Sequence, residues 1–139
     1  MFNDCLYFNL SSVSRSVTEA CRDEFSRIGL SPSHGYLLFA MVEERGLGQK
    51  EYGELLDLEA STINRLVETL VARGYVLKEG SGRGSTIAVT ESAIEEYDRI
   101  CEAMSQLKLR LQKTVGESDF EALVEGLGKA RLAFEKLSS

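Results

Sequence analysis

From Tyr75 the spacing of apolar residues changes from a helical period to an extended one, and after Thr90 it changes back. Tyr75-Val76-Leu77-Lys78-Glu79 and Thr86-Ile87-Ala88-Val89-Thr90 read as two short strands. The stretch Gly80-Ser81-Gly82-Arg83-Gly84-Ser85 between them fits only a hairpin loop. Both flanks are helical, so the chain reads as mainly α with one small β-hairpin.

Before the hairpin, Leu6, Leu10, Val13, Val17, Cys21, Phe25 and Ile28 recur at steps of three and four, which marks a helix over about 5–28, stopped by Gly29. Ser31-Pro32 opens a second helix, with Ser31 as N-cap and Pro32 in the first turn. Its run Tyr36 to Val42 is apolar almost all round, so it belongs at the buried centre. A short helix over about 49–56 turns Tyr52, Leu55 and Leu56 inward. A longer one over about 60–73 carries Ile63, Leu66, Val67, Leu70 and Val71 on one face, and Gly74 ends it. After the hairpin, Thr90 caps a long helix to about residue 114. Ser118 and Glu121 form a capping box for a last helix with Phe120, Leu123, Val124, Leu127, Phe134 and Leu137 on one side. Helix-turn-helix followed by a two-stranded wing is the winged-helix arrangement.

The helix over 60–73 divides as a DNA reader must, with one face held to the domain. Its outward set is Ser61, Thr62, Asn64, Arg65, Glu68, Thr69 and Arg73. Arginine can bind guanine bidentately, asparagine can bind adenine, and serine or threonine can bond to bases or phosphate. Contacts concentrate at the end that enters the groove first, which selects Ser61, Thr62, Asn64 and Arg65. A solvated polar face gives the same pattern. Arg83 sits among Gly80, Gly82 and Gly84, where the loop can approach a sugar-phosphate surface and one long cation can enter the minor groove; a plain exposed turn also fits. A nucleotide-phosphate loop does not fit, because such a loop leads from a strand into a helix. Gln49 and Lys50, at the start of the short helix, are placed to bond backbone phosphate or simply to be solvated.

Residues 47–90, LGQKEYGELLDLEASTINRLVETLVARGYVLKEGSGRGSTIAVT, resemble the DNA-binding core of the MarR family of transcription regulators. The run QKEYGELLDLEASTINRLVETLVARGYV is similar to that family's helix-turn-helix almost position by position. Residues 3–33 resemble its first helix and the lead into the second, and 91–139 its dimerising C-terminal helices. The resemblance implies one MarR-like domain over 1–139, with a winged-helix core at about 32–90 and dimerisation helices at about 5–28 and 91–137. It implies a homodimer that sets two recognition helices in successive major grooves of double-stranded DNA. The family's wing carries Asp-x-Arg; here Ser81-Gly82-Arg83 keeps the arginine without the acid. The family often answers to small aromatic effectors in a cleft between its two parts. Tyr7, Tyr36, Phe39 and Met104 either line such a cleft here or are plain core. Some relatives sense oxidants through a cysteine near the start of the first helix, the neighbourhood of Cys5. Asp4 beside it disfavours a thiolate.

The formal net charge of −6 argues against a general nucleic-acid binder, but residues 60–90 are net +2 between acidic flanks of −5 and −3. No apolar run reaches the roughly 20 residues that span a bilayer, and the start Met1-Phe2-Asn3-Asp4 lacks the basic region of a secretory signal. A cytoplasmic protein with no membrane role is expected. Cys5, Cys21 and Cys101 are widely spaced and read as reduced thiols. His34 is the only histidine, so no metal site is expected. No nucleophile-base pair stands out, so neither an enzyme nor a cofactor is expected. The resulting reading is a sequence-specific DNA-binding regulator, a repressor released by a small ligand. A thiol-based sensor acting through Cys5 and a winged-helix protein-interaction module without DNA binding are the alternatives.

Overall fold

The computed structural model describes residues 1–80 and 85–138. Among these, the order is α1 (Leu6–Ser26), α2 (Pro32–Glu43), α3 (Gln49–Leu55), α4 (Ala60–Ala72), β1 (Val76–Glu79), β2 (Thr86–Val89), α5 (Glu91–Val115) and α6 (Glu117–Phe134), then a 3₁₀ turn (Glu135–Leu137). The chain forms two compact units. One runs from Met1 to Met104, and the other starts at Ser105, within α5.

The first unit is built round α2. Ser31 accepts a hydrogen bond from the His34 backbone N–H at 3.3 Å, and Pro32 fills the first turn, as the sequence predicts. Leu37, Leu38 and Met41 are buried, and α2 touches α1, α3, α4 and β2. Burying each such side chain contributes about 1.5–3 kcal/mol. The lower half of α1 closes the other side with Ala20, Cys21 and Phe25. Its upper half does not: Leu6, Tyr7, Leu10 and Val13 are exposed. The apolar stripe predicted along α1 is therefore buried over its C-terminal half and bare over its N-terminal half.

The strands pair antiparallel with Val76 opposite Val89 and Glu79 opposite Thr86. Val76 and Ile87 turn inward, and the Ile87 N–H donates to the Leu47 carbonyl at 3.0 Å, so β2 is tied to the loop before α3. Thr90 stands directly before α5, and its carbonyl accepts from the Ala93 N–H at 3.1 Å and the Ile94 N–H at 3.3 Å. Its hydroxyl donates back to the Gly74 carbonyl at 2.6 Å, closing the turn at which α4 gives way to β1. The loop before α3 is held by Tyr52, a fully buried ring whose hydroxyl donates to the Glu44 carbonyl at 2.5 Å and accepts from the Leu47 N–H at 3.4 Å.

In the second unit, α6 starts at Glu117 after Gly116, whose φ of 93° turns the chain, and no side chain caps it. The predicted Ser118–Glu121 box is thus one residue inside the helix. None of the α6 side chains is buried, and Leu123, Val124, Leu127 and Phe134 lie exposed.

Candidate nucleic-acid interface

The α3–α4 pair is joined by a tight turn. Leu58 N–H reaches back to the Gly53 carbonyl at 2.9 Å, and Asp57 adopts the left-handed conformation at φ 53°, which a short polar side chain tolerates better than most. The turn sets α4 against the core through Ile63, Leu66, Val67 and Leu70, all buried. Val71, predicted to join them, sits at the rim and is exposed. Leu55 on α3, predicted inward, is 55% exposed, because a helix of only seven residues has one turn against α4 and α2 and the other side in solvent.

The opposite face of α4 is polar and open. Ser61, Asn64, Arg65 and Glu68 are exposed, and Thr62 is half-buried. Among the described residues, Arg65 and Lys50 have no hydrogen-bonded side-chain partner, so both cations are available to a ligand. Gln49 and Asn64, predicted as separate contacts, are joined. Gln49 Nε2 donates to Asn64 Oδ1 at 3.3 Å, and Asn64 Nδ2 donates to Glu68 Oε1 at 3.3 Å. Arg73 belongs to the scaffold. Its Nη1 donates to the Gly29 carbonyl at 3.1 Å, and its guanidinium lies 5.5 Å from the Tyr75 ring centre. Arg83 lies outside the described residues.

A groove of about 660 Å³ opens where the starts of α3 and α4 meet Ser85, just before β2, lined by Gly48, Gln49, Lys50, Ala60, Ile63 and Ser85. Two carboxylates, Glu51 and Glu54, also border it. Behind α4, His34 Nδ1 lies 2.5 Å from Ser31 Oγ, and Nε2 is buried without a partner among the described residues. Burial, then the charges of Arg73 and Arg65, hold its pKa below the usual histidine value.

The predicted effector residues are engaged separately. Tyr7 is 81% exposed. Tyr36 packs against Phe25 with ring centres 5.6 Å apart and shares a hydrogen bond with Cys21; burial pushes both groups' pKa values up. Phe39 stacks on Tyr97 at 5.7 Å, and the Tyr97 hydroxyl donates to the Glu43 carboxylate. Met104 is half-buried. Tyr36 also lines a smaller apolar cavity of about 270 Å³ with Pro32, Ser33, Leu56 and Leu58. Cys5 is exposed at the start of α1, whereas burial and the charges of Asp98 and Glu43 raise the Cys101 thiol. Among the described residues, no group of three or more His, Cys, Asp or Glu side chains could hold a metal ion, and no helix is long and apolar enough to cross a membrane.

The sequence pattern put Glu68 on the outward face but did not show that it would engage Asn64. The signal was present in their spacing of four, which makes them neighbours on a helix. Tyr52 was read as core only; nothing in the sequence marked its hydroxyl as the clasp of the loop.

No family model and no curated protein matches the sequence. Solved structures match over nearly the whole chain. The repressor CouR bound to p-coumaroyl-CoA has a TM-score of 0.85 at 18% identity, covering 94% of both chains. The MepR–DNA complex of S. aureus has a TM-score of 0.81 at 15% identity, covering 93% of this chain and 97% of its own. A MarR transcriptional regulator from Methanosarcina mazei Go1 has 0.79 at 16%, covering 97% and 92%. With its mainly helical order and the antiparallel hairpin after α4, the chain has the winged-helix fold of the MarR-family transcriptional regulators.

Proposed function

We propose that the chain is a sequence-specific DNA-binding transcription regulator that acts as a homodimer with α4 in the major groove. The observation that carries this is the division of α4: four apolar side chains fix one face to the core, and the other presents Ser61, Asn64 and Arg65 to solvent beside a groove that Lys50 borders. Arg65 and Asn64 would read base edges, and Ser61, Thr62, Gln49 and Lys50 would hold phosphate and register. Arg83 would follow the backbone into the minor groove. MepR, which shares the fold, is found in complex with DNA.

The bare apolar faces support the dimer. Leu6, Leu10 and Val13 on α1 and Leu123, Leu127 and Phe134 on α6 are the exposed large apolar side chains that a second copy would cover. Two copies would set their α4 helices about one helical turn, ~34 Å, apart on the duplex. Such a protein would work in the cytoplasm, where it meets DNA. Release from DNA by a small ligand is the finer reading, in line with CouR, a repressor of the same fold bound to p-coumaroyl-CoA. Oxidation at Cys5 is a second route of release, favoured by its exposure while Cys21 and Cys101 are held as thiols.

Anisotropy titrations with duplexes from the DNA upstream of the coding sequence test the reading. Arg65→Ala should weaken specific binding by about 1–3 kcal/mol and relax the base preference at one position, and Lys50→Ala should lower the slope of log affinity against log salt by about 1. Unchanged affinity and slope in both Arg65→Ala and Arg83→Ala would remove the reading head proposed here and favour a protein-interaction module.

A further inference from the structure

We infer that Glu68 is a specificity-determining residue, whose carboxylate selects an amino-bearing base in the major groove and penalises every other. This rests on the DNA-binding reading above. Glu68 is exposed on the outward face of α4, one turn beyond Asn64. Among the described residues, no lysine or arginine pairs with it. Its one hydrogen bond comes from Asn64 Nδ2 at 3.3 Å, to Oε1, while Asn64 Oδ1 is taken up by Gln49 Nε2 at 3.3 Å. The chain Gln49–Asn64–Glu68 therefore fixes which way the Asn64 amide faces and leaves the second Glu68 oxygen open.

A carboxylate on this face is costly against DNA. It is repelled by phosphates and by the acceptors that line most of the groove: guanine N7 and O6, adenine N7 and thymine O4. Only cytosine N4 and adenine N6 donate there. An unpaired carboxylate on a reading helix thus lowers affinity for duplexes in general and restores it only where an amino group stands opposite. The net −6 charge of the chain works in the same direction, by weakening non-specific attachment. Discrimination by repulsion is a recognised way to gain specificity at the expense of affinity.

The test uses a pool of duplexes randomised over about two helical turns, selected separately by the full-length chain, Glu68→Gln and Glu68→Ala. The wild-type protein should demand an amino-bearing base at one position of each half-site, by about 10-fold over the alternatives. Glu68→Gln keeps an acceptor for Asn64 and removes only the charge. It should flatten or move the preference at that position while binding a scrambled duplex more tightly. Glu68→Ala should flatten it too. A Gln variant with the wild-type base preferences overturns the inference, whatever the Ala variant does. A wild-type protein with no salt-dependent duplex binding overturns the DNA-binding reading itself, and this inference with it.

Discussion

Replacing Gly35 with alanine sets two effects against each other, and the structure decides between them. Within a helix, Gly→Ala ordinarily stabilises by about 1 kcal/mol, because glycine loses more backbone freedom on folding. At Gly35, however, a β-carbon would stand 2.1 Å from Phe25 Cε1, 2.6 Å from Cδ1 and 3.2 Å from Cζ. The Phe25 ring is fully buried and already packed against Tyr36. To restore an ordinary contact it would have to retreat by more than about 1 Å into a filled core, where overpacking costs about 1–3 kcal/mol. The clash is severe enough to put the cost at the upper end, which leaves Gly35→Ala destabilised by about 2 kcal/mol net. Urea unfolding followed by far-UV circular dichroism should show the midpoint lowered by ~1 M, at matched protein concentration because the midpoint of the proposed dimer would depend on it. Adding Phe25→Leu should cost less in the Gly35→Ala background than in the wild type, since the two side chains share one space. A midpoint equal to or above the wild type's would refute the reasoning, by showing that α1 and α2 separate freely.

Tyr52→Phe should cost about 1–3 kcal/mol by thermal denaturation, because it strands the partly buried Glu44 carbonyl and Leu47 N–H. Faster hydrogen exchange at the Leu47 amide should accompany it. The lowered pKa of His34 means that the folded state binds its proton less readily than the unfolded chain. Its stabilising contribution is then complete above the unfolded value of about 6.5 and is lost as pH falls through that value toward the folded one. Denaturation midpoints taken from pH 7.5 to 5.5 should fall less steeply in His34→Gln than in the wild type; parallel curves would show that His34 is not responsible.

Most of the first unit was legible in the sequence because its signals are local. Ser31-Pro32 announces α2, the spacing from Ile63 to Leu70 announces α4, and the change of period after Gly74 announces the hairpin. What failed depends on partners distant in sequence. Thr90 stands just before α5 as the sequence predicts, but no local pattern shows that its hydroxyl also donates to the Gly74 carbonyl. Leu55 fits the apolar pattern of α3, yet it is the last residue of a seven-residue helix and stays exposed while Tyr52 is buried. The apolar row of α1 is one face, but the sequence does not show that only its C-terminal half, with Cys21 and Phe25, meets the core. At the candidate site, residue types could be read from helical spacing, whereas their connection through Gln49, Asn64 and Glu68 joins two helices across the turn and needs coordinates.

The tie between Ile87 and Leu47 limits how the reading surface can move. β2 is bonded to the loop that Tyr52 clasps, and that loop leads directly into α3. The helix pair and β2 therefore share a mounting. If this surface lies on DNA, a signal that shifts the start of α3 relative to a second copy would pull β2 with it, and moving β2 alone would first have to break the Ile87–Leu47 hydrogen bond.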